Sequence, residues 1–197
     1  GPRDLFAAQR LRYEVFVAEL GADGPMVDHD ARLERDAYDD HVDHLVLIDP
    51  RRDAAGLDHV VGAYRLLPSD RIGVVGRYYS EDEYDLAPLT RSGRKLVELG
   101  RSCVHRDYRR GTAMYRLWNA LADYVLAREI EILFGVASFH GTDVAALAQP
   151  LAYLYHRHLA PQDMRVRARG PHRQSMDLIA PEDLDAKAAM AAMPGKP

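Results

Sequence analysis

Glu98 and Arg101 flank Gly100 within the run KLVELGRSCVHRDYRRGTAMYRLW, residues 95–118. The first part of this run has the apolar content of a central strand. A glycine inside such a strand signals a bulge or the close approach of another backbone. A bulge frees main-chain N–H groups, here around Gly100, Arg101, Ser102 and Cys103, which can hold an oxygen that gains charge during acyl transfer. A neighbouring carboxylate can relieve an attacking nitrogen of its proton. The run then collects Arg109 and Arg110 and turns through Gly111 into a helical pattern from Ala113. A strand, a basic glycine turn and a helix N-terminus form a common anion-binding geometry.

A second set of charges needs partners. Arg65 lies inside the apolar run VGAYRLL, where an unpaired guanidinium would be costly. Glu34, Asp36, Asp39 and Glu98 are the candidate carboxylates. RLRYEVF, from Arg10 to Phe16, carries a basic helix face, and ERDAYD, from Glu34 to Asp39, follows with three spaced acids. Taken singly, these residues read as solvated charge and an Asp-rich turn. The loop offers many oxygens but lacks the glycine and terminal glutamate of an EF-hand, so no metal is expected. Cys103 has no Cys–His spacing and reads as core rather than as a nucleophile.

The elements that must position these residues follow from periodicity. DLFAAQRLRYEVFVAELG reads as a helix, with Leu5, Ala8, Leu11, Val15 and Leu20 at helical spacing and Gly21 at its end. Residues 22–43 read as a long ordered loop. HLVLID and HVVGAYRLL read as strands joined by a hairpin. SEDE at 80–83 has capping-box spacing. Met114, Leu117, Leu121 and Val125 mark a helix after the central strand, and EILFGVAS is the next strand. DVAALAQPLAYLYHRHL is helical but must bend or restart at Pro150. MRVRARG and QSMDLI read as two late strands, and Pro181 as the start of a last helix. This order predicts an α/β or α+β sandwich around a mixed sheet. No Rossmann fingerprint or phosphate-binding P-loop is present.

The chain's 197 residues suffice for one domain with a full core, and a single domain over 1–197 is expected. A formal net charge of −4 argues against general nucleic-acid binding. Arginines nevertheless gather at 101–116 and 165–173, which fits a specific anionic partner. One cysteine excludes an internal disulfide and fits a reducing compartment. No apolar run approaches the ~18 residues of a membrane span, and no signal peptide is visible. A cytoplasmic location is expected, with peripheral attachment to a membrane left open.

Taken jointly, RLRYEVFVAELG, ERDAYD, VGAYRLLP and VELGRS resemble the acyl-homoserine-lactone synthases. DHLVLID, YYSEDEYDL, VELGRSCVHRDYR, LFGVASFHGTD and YLYHRHLAP bring the likeness closer to the bacterial ornithine N-acyltransferases, which make lyso-ornithine lipid. The resemblance runs from Arg10 to roughly Arg169. It implies a GNAT-like fold with a mixed β-sheet flanked by helices, and full-length relatives continue past the point corresponding to residue 197. It implies a (3-hydroxy)acyl group carried as a phosphopantetheine thioester on acyl carrier protein, no permanently bound cofactor, and the α-amine of an amino acid as acceptor. Glu98 is then the general base, with Gly100, Arg101 and Ser102 beside it. Arg12, Phe16, Glu34, Asp36, Asp39, Arg65, Ser138 and Thr142 line the substrates. Cys103, Val104, Arg109, Arg110, Gly111 and Ala113 meet the carrier and its pantetheine arm. Arg12, Arg65 and Arg101 are candidates for the acceptor carboxylate, and Asp36 or Asp39 for an ornithine ammonium. Asp143 reads equally as a helix cap.

The chain departs from the acetyl-CoA pattern [QR]-x-x-G-x-[GA], because Tyr108 stands at its first position and the loop is one residue short. A carrier-protein donor has no adenosine diphosphate and tolerates a reduced cradle. His140 stands where family members often have proline. Glutamine or another amino acid, a lactone-synthase-like reaction, and a carrier-binding module without catalysis are the alternatives.

Overall fold

A computed structural model describes residues 1–139, 141–171 and 173–193. His140, noted above, lies outside the described residues. The elements in chain order are α1 (Pro2–Arg12), β1 (Val27–Asp28), β2 (Leu33–Glu34), β3 (Asp43–Ile48), β4 (Val60–Pro68), α2 (Ile72–Val75), β5 (Tyr84–Asp85), α3 (Ala87–Thr90), β6 (Leu96–Val104), α4 (Ala113–Arg128), β7 (Ile132–Phe134), α5 (Ala148–His158), β8 (Arg167–Ala168) and α6 (Ala186–Ala191). The chain divides into two compact units, one of residues 1–78 and 94–135, the other of 79–93 and 136–193.

The first unit holds a four-stranded mixed sheet in the order β3-β4-β6-β7. β4 runs antiparallel to β3 and β6, whereas β6 and β7 are parallel. Strand alternation sends successive side chains to opposite faces. Ala63 and Cys103 pack with Ala7, Ala8, Leu11 and Val15 of the N-terminal helical segment. Leu66, Val97 and Val104 pack instead with Ala113, Leu117 and Leu121 of α4. The sheet is therefore sandwiched between α1 and α4, each contributing one apolar stripe. Gly62 is required by this packing, since a Cβ there would lie 2.9 Å from Leu117 Cδ1.

α1 begins with Pro2 in its first turn, where a missing N–H costs nothing. The helix expected to reach Gly21 keeps its direction but changes its winding. Tyr13–Glu19 is π-helical, with Leu20 N–H donating to Val15 O at 3.2 Å. Gly21, at φ +74°, closes it. α4 starts at Ala113, where the periodicity begins. It ends at Glu129 in the left-handed conformation, φ +55°.

In the second unit β5 pairs antiparallel with β8, Tyr84 facing Ala168 and Asp85 facing Arg167. Pro150 lies within the first turn of α5, so the helix does restart there. The late sequence is less regular than expected. MRVRARG yields only the two residues of β8, and QSMDLI forms no strand. Pro181 opens a 3-10 turn, and α6 begins after Asp185, whose carboxylate accepts from Lys187 N at 2.9 Å and Ala188 N at 3.0 Å. SEDE also gives a 3-10 turn, Tyr79–Asp82, rather than an α-helix. EILFGVAS is strand only over Ile132–Phe134.

Candidate active site

β6 carries a bulge next to the predicted glycine. Ala63 faces Cys103 and Arg65 faces Gly100, so Tyr64 alone on β4 stands against Arg101 and Ser102 on β6. The residue in the left-handed conformation is Arg101, at φ +51°, not Gly100. Such a conformation in a non-glycine residue costs on the order of 1–3 kcal/mol and needs outside support. That support comes from the Arg101 guanidinium, whose Nε donates to Glu34 Oε1 at 2.9 Å and whose Nη2 donates to Met26 Sδ at 3.0 Å.

The extra residue resets the alternation of β6. Val97 and Leu99 face α4, and Val104 does so again, while Cys103 turns to the α1 side. Without it, Cys103 would share the face of Val97. Glu98 and Gly100 point to the α1 side of the sheet, opposite Leu67 and Arg65. A Cβ built on Gly100 meets no atom within 4 Å, so the glycine borders open space rather than another backbone. Close approach occurs instead at Gly135, whose Cβ would lie 2.4 Å from Leu99 O. β7 pairs with β6 only over Leu96–Glu98. Beyond Glu98, β6 has no strand partner on that side among the described residues.

The carboxylates of ERDAYD are shared among arginines from three elements. Arg12 of α1, 1% exposed, donates to both oxygens of Asp39 at 2.8 and 2.7 Å and to the Glu34 carbonyl. Its Nε faces Glu34 Oε2 at 2.5 Å. Arg65 of β4 donates to both oxygens of Asp36 at 2.7 Å and reaches Asp39 at 3.2 Å. Gln9 adds a bond to Asp39 at 3.0 Å. Of its expected partners, Arg65 thus holds Asp36 and Asp39. Burial works to raise the Asp39 carboxyl, but the bonds and charge of Arg12, with Arg65 and Gln9, outweigh it and lower it to about 2. Burial also opposes the Arg12 charge, and Asp39, Glu34 and Asp36 together raise its pKa above the ordinary value.

This network corrects part of the substrate-contact expectation. Arg12 is sealed and fully engaged, so it is a counter-ion for the loop and not a contact for an acceptor carboxylate. Asp36 and Asp39 are already paired with guanidinium groups, so neither is a free counter-ion for an ornithine ammonium. Phe16 packs partly into the core beside Val15 and Cys103. Glu98 is buried on the open side of the bulge, 5% exposed. Ser102 is half-buried at the bulge.

The residues expected to meet the carrier divide into two groups. Cys103, Val104 and Ala113 are buried, so their side chains are core and only their main chain can reach a ligand. Burial pushes the Cys103 thiol up to about 12, which leaves it inert as a nucleophile. Arg109 is tied inward, with Nε donating to Val104 O at 3.0 Å and Nη2 to Glu19 at 2.7 Å. Arg110 and Gly111 are exposed before α4. The Tyr108 hydroxyl donates to Asp49 at 2.6 Å, so this residue anchors the turn. In the second unit Ser138 and Thr142 are exposed, and Asp143 accepts from Ala145 N at 3.0 Å and Ala146 N at 3.3 Å, the turn-capping role. Sequence reasoning missed Met26 and Glu19, because neither stands near its arginine partner along the chain.

Residues 11–119 match the Acetyltransferase (GNAT) domain family. A mixed sheet between helices, with β6 and β7 parting beyond Glu98, is the architecture of that class, and the chain is an acyltransferase by family. An L-ornithine N(alpha)-acyltransferase of Rhodobacter capsulatus is 64% identical over 192 residues, covering 98% of this chain and 73% of the relative. One from Brucella abortus is 38% identical over 191 residues, covering 95% and 68%. The chain belongs to the L-ornithine N(alpha)-acyltransferase family. Among solved structures, a CoA-dependent acyl-homoserine lactone synthase, BjaI, with SAM and isopentyl-CoA is 26% identical, with a TM-score of 0.49 over 67% of this chain and 58% of that one. The AHL synthase LasI is 21% identical, with a TM-score of 0.49 over 70% and 66%.

Proposed function

We propose that the chain transfers an acyl group from the thioester of an acyl carrier protein to the α-amine of ornithine. The names of the relatives support the acceptor. The bulge of β6, with Glu98 and open space over Gly100 on one face, is the observation that carries the chemistry. An α-amine is mostly protonated near neutral pH, and only its free form attacks a thioester. Glu98 accepts the proton, directly or through a water. The nitrogen bonds to the thioester carbon, and main-chain N–H groups of the bulge hold the oxyanion. The carbon–sulfur bond then breaks, and the pantetheine sulfur leaves as a thiol, taking up the proton that Glu98 removed from the amine.

The unpaired stretch of β6 beyond Glu98 suits the amides of a pantetheine arm, which can add alongside a strand edge. Exposed Arg110, at the start of α4, suits the acidic surface of a carrier protein. In the same proposal the product feeds aminolipid synthesis. The protein works in the cytoplasm, and the acyl tail of the product supports peripheral contact with the inner membrane.

The test supplies labelled acyl carrier protein with ornithine, glutamine or other amino acids and reads the products by mass spectrometry. Acyl-ornithine is the expected product. Product only from acyl-CoA overturns the donor, product only from another amine overturns the acceptor, and binding without turnover overturns the reaction.

A further inference from the structure

The loop acids Glu34, Asp36 and Asp39 are already engaged by arginines and Glu98 is assigned to the α-amine, so an acceptor with a cationic side chain calls for a different counter-ion. An open surface depression of about 520 Å³ lies beside the β1–β2 hairpin, lined by Met26, Val27 and Asp28 and by the exposed His29, Asp30 and Arg35. Its size falls within the range of small-ligand sites. Met26 joins it to the bulge, because Arg101 Nη2 donates to Met26 Sδ at 3.0 Å. Arg35 N donates to Met26 O at 2.8 Å, so the wall next to Arg101 is held in place.

The lining charges are not equivalent. Asp28 receives Arg35 at 2.8 Å through one oxygen and Ala31 N at 2.9 Å through the other. His29 is shared between Tyr13 and Asp23, each at 3.2 Å. Asp30 has no ion-pair partner among the described residues. The loop that carries it is nevertheless fixed. Arg10 donates to Ala31 O at 2.9 Å, and Arg32 donates to Glu14 at 2.6 Å. Both bonds tie the loop to the N-terminal helical segment, so Asp30 is held without being neutralised.

We infer that this depression receives the side-chain ammonium of the acceptor amino acid, with Asp30 as its counter-ion, while the α-amine stays at the bulge. This rests on the reaction proposed above and gives its specificity a location. The acceptor's methylenes pass Met26, a flexible apolar side chain that adapts to them. A neutral side chain of equal length would leave the Asp30 carboxylate unpaired and gain no charge-assisted bond.

The test compares ornithine with 2-aminopentanoate, which has the same carbon chain without the ammonium, as the ratio of their kcat/KM values. In Asp30→Asn this ratio should fall by about tenfold or more, mainly through the KM for ornithine. Asp30→Lys should remove the preference. Asp123→Asn, an exposed acid on α4, should leave the ratio unchanged. A wild-type protein that never acylates ornithine sinks the reaction reading. A wild-type protein that does, with the ratio unmoved in both Asp30 variants, sinks this inference alone.

Discussion

Arg65 and Glu98 share one face of the sheet across the β4–β6 ladder, Arg65 opposite Gly100 and Glu98 opposite Leu67. They are diagonal neighbours, close enough for long side chains to interact. Arg65 also holds Asp36 and Asp39, so the loop acids, the strand arginine and the proposed base form one continuous polar surface. Glu98→Gln keeps the shape of that surface and removes the proton acceptor. Turnover should drop by ~10²-fold or more with the fold intact. Unchanged turnover in single-turnover kinetics would remove Glu98 from that role.

Gly100 separates substrate space from packing space. No atom would meet a Cβ at this position within 4 Å. Gly100→Val should therefore fold with nearly unchanged thermal stability and still lose most of its activity, because the methyls enter the space assigned to the reacting carbonyl. Gly135→Ala should do the reverse and lower the melting temperature, since its Cβ collides with the Leu99 carbonyl. Full activity in Gly100→Val would place the acyl group elsewhere.

The buried ion network makes stability depend on acid. The Asp39 carboxyl is held at about 2, below its ordinary 3.8. A depressed carboxyl stabilises the fold above the unfolded value and loses that contribution as pH falls through about 4 towards 2. The difference corresponds to about 2 kcal/mol near neutral pH. His44, whose Nε2 donates to Asp39 O at 2.8 Å, is pushed below 6.5, chiefly by burial. A buried neutral imidazole loses stabilisation as pH falls below 6.5, because the unfolded chain binds the proton more readily. Urea midpoints should thus fall first below pH 6.5 and again below about 4, and His44→Gln should shrink the first fall, leaving the share of His105, which burial also pushes down. Arg12→Ala should cost about 3–5 kcal/mol at neutral pH, because it leaves Asp39 and Glu34 buried without their main partner.

Cys103 is fully buried, with its thiol raised to about 12. Maleimide should leave the native protein active and unlabelled over a period that fully labels it in urea. Rapid inactivation of the native protein would return Cys103 to the list of reacting groups.

The layers were legible in the sequence where periodicity was clean. α4 begins at Ala113 because the apolar spacing starts there, and β4 and β6 are apolar apart from Arg65 and the segment Glu98–Ser102. The bulge was legible from Gly100, but its strained residue was not. Arg101 is held in its conformation by contacts such as those with Glu34 and Met26, which no local pattern encodes. The same applies to Asp36 and Asp39, whose spacing offered free carboxylates until Arg12 and Arg65 arrived from other elements. QSMDLI failed as a strand because alternation alone supplies no neighbouring edge. Pro181 was a weaker helix start than Asp185, whose carboxylate satisfies two N–H groups.

The two arginines before α4 should behave differently when reversed. Arg110 is exposed, whereas Arg109 bonds Val104 O and Glu19. Arg110→Glu should raise the KM for acyl carrier protein several-fold at low ionic strength. That penalty should shrink as salt screens the approach, because surface charge acts mainly on encounter. Arg109→Glu should instead place an acid face to face with Glu19 and leave the Val104 carbonyl without its donor. Its main signature should be a lower melting temperature that added salt restores only in part. A KM for the carrier that ignores both Arg110→Glu and ionic strength would move the docking surface away from this turn.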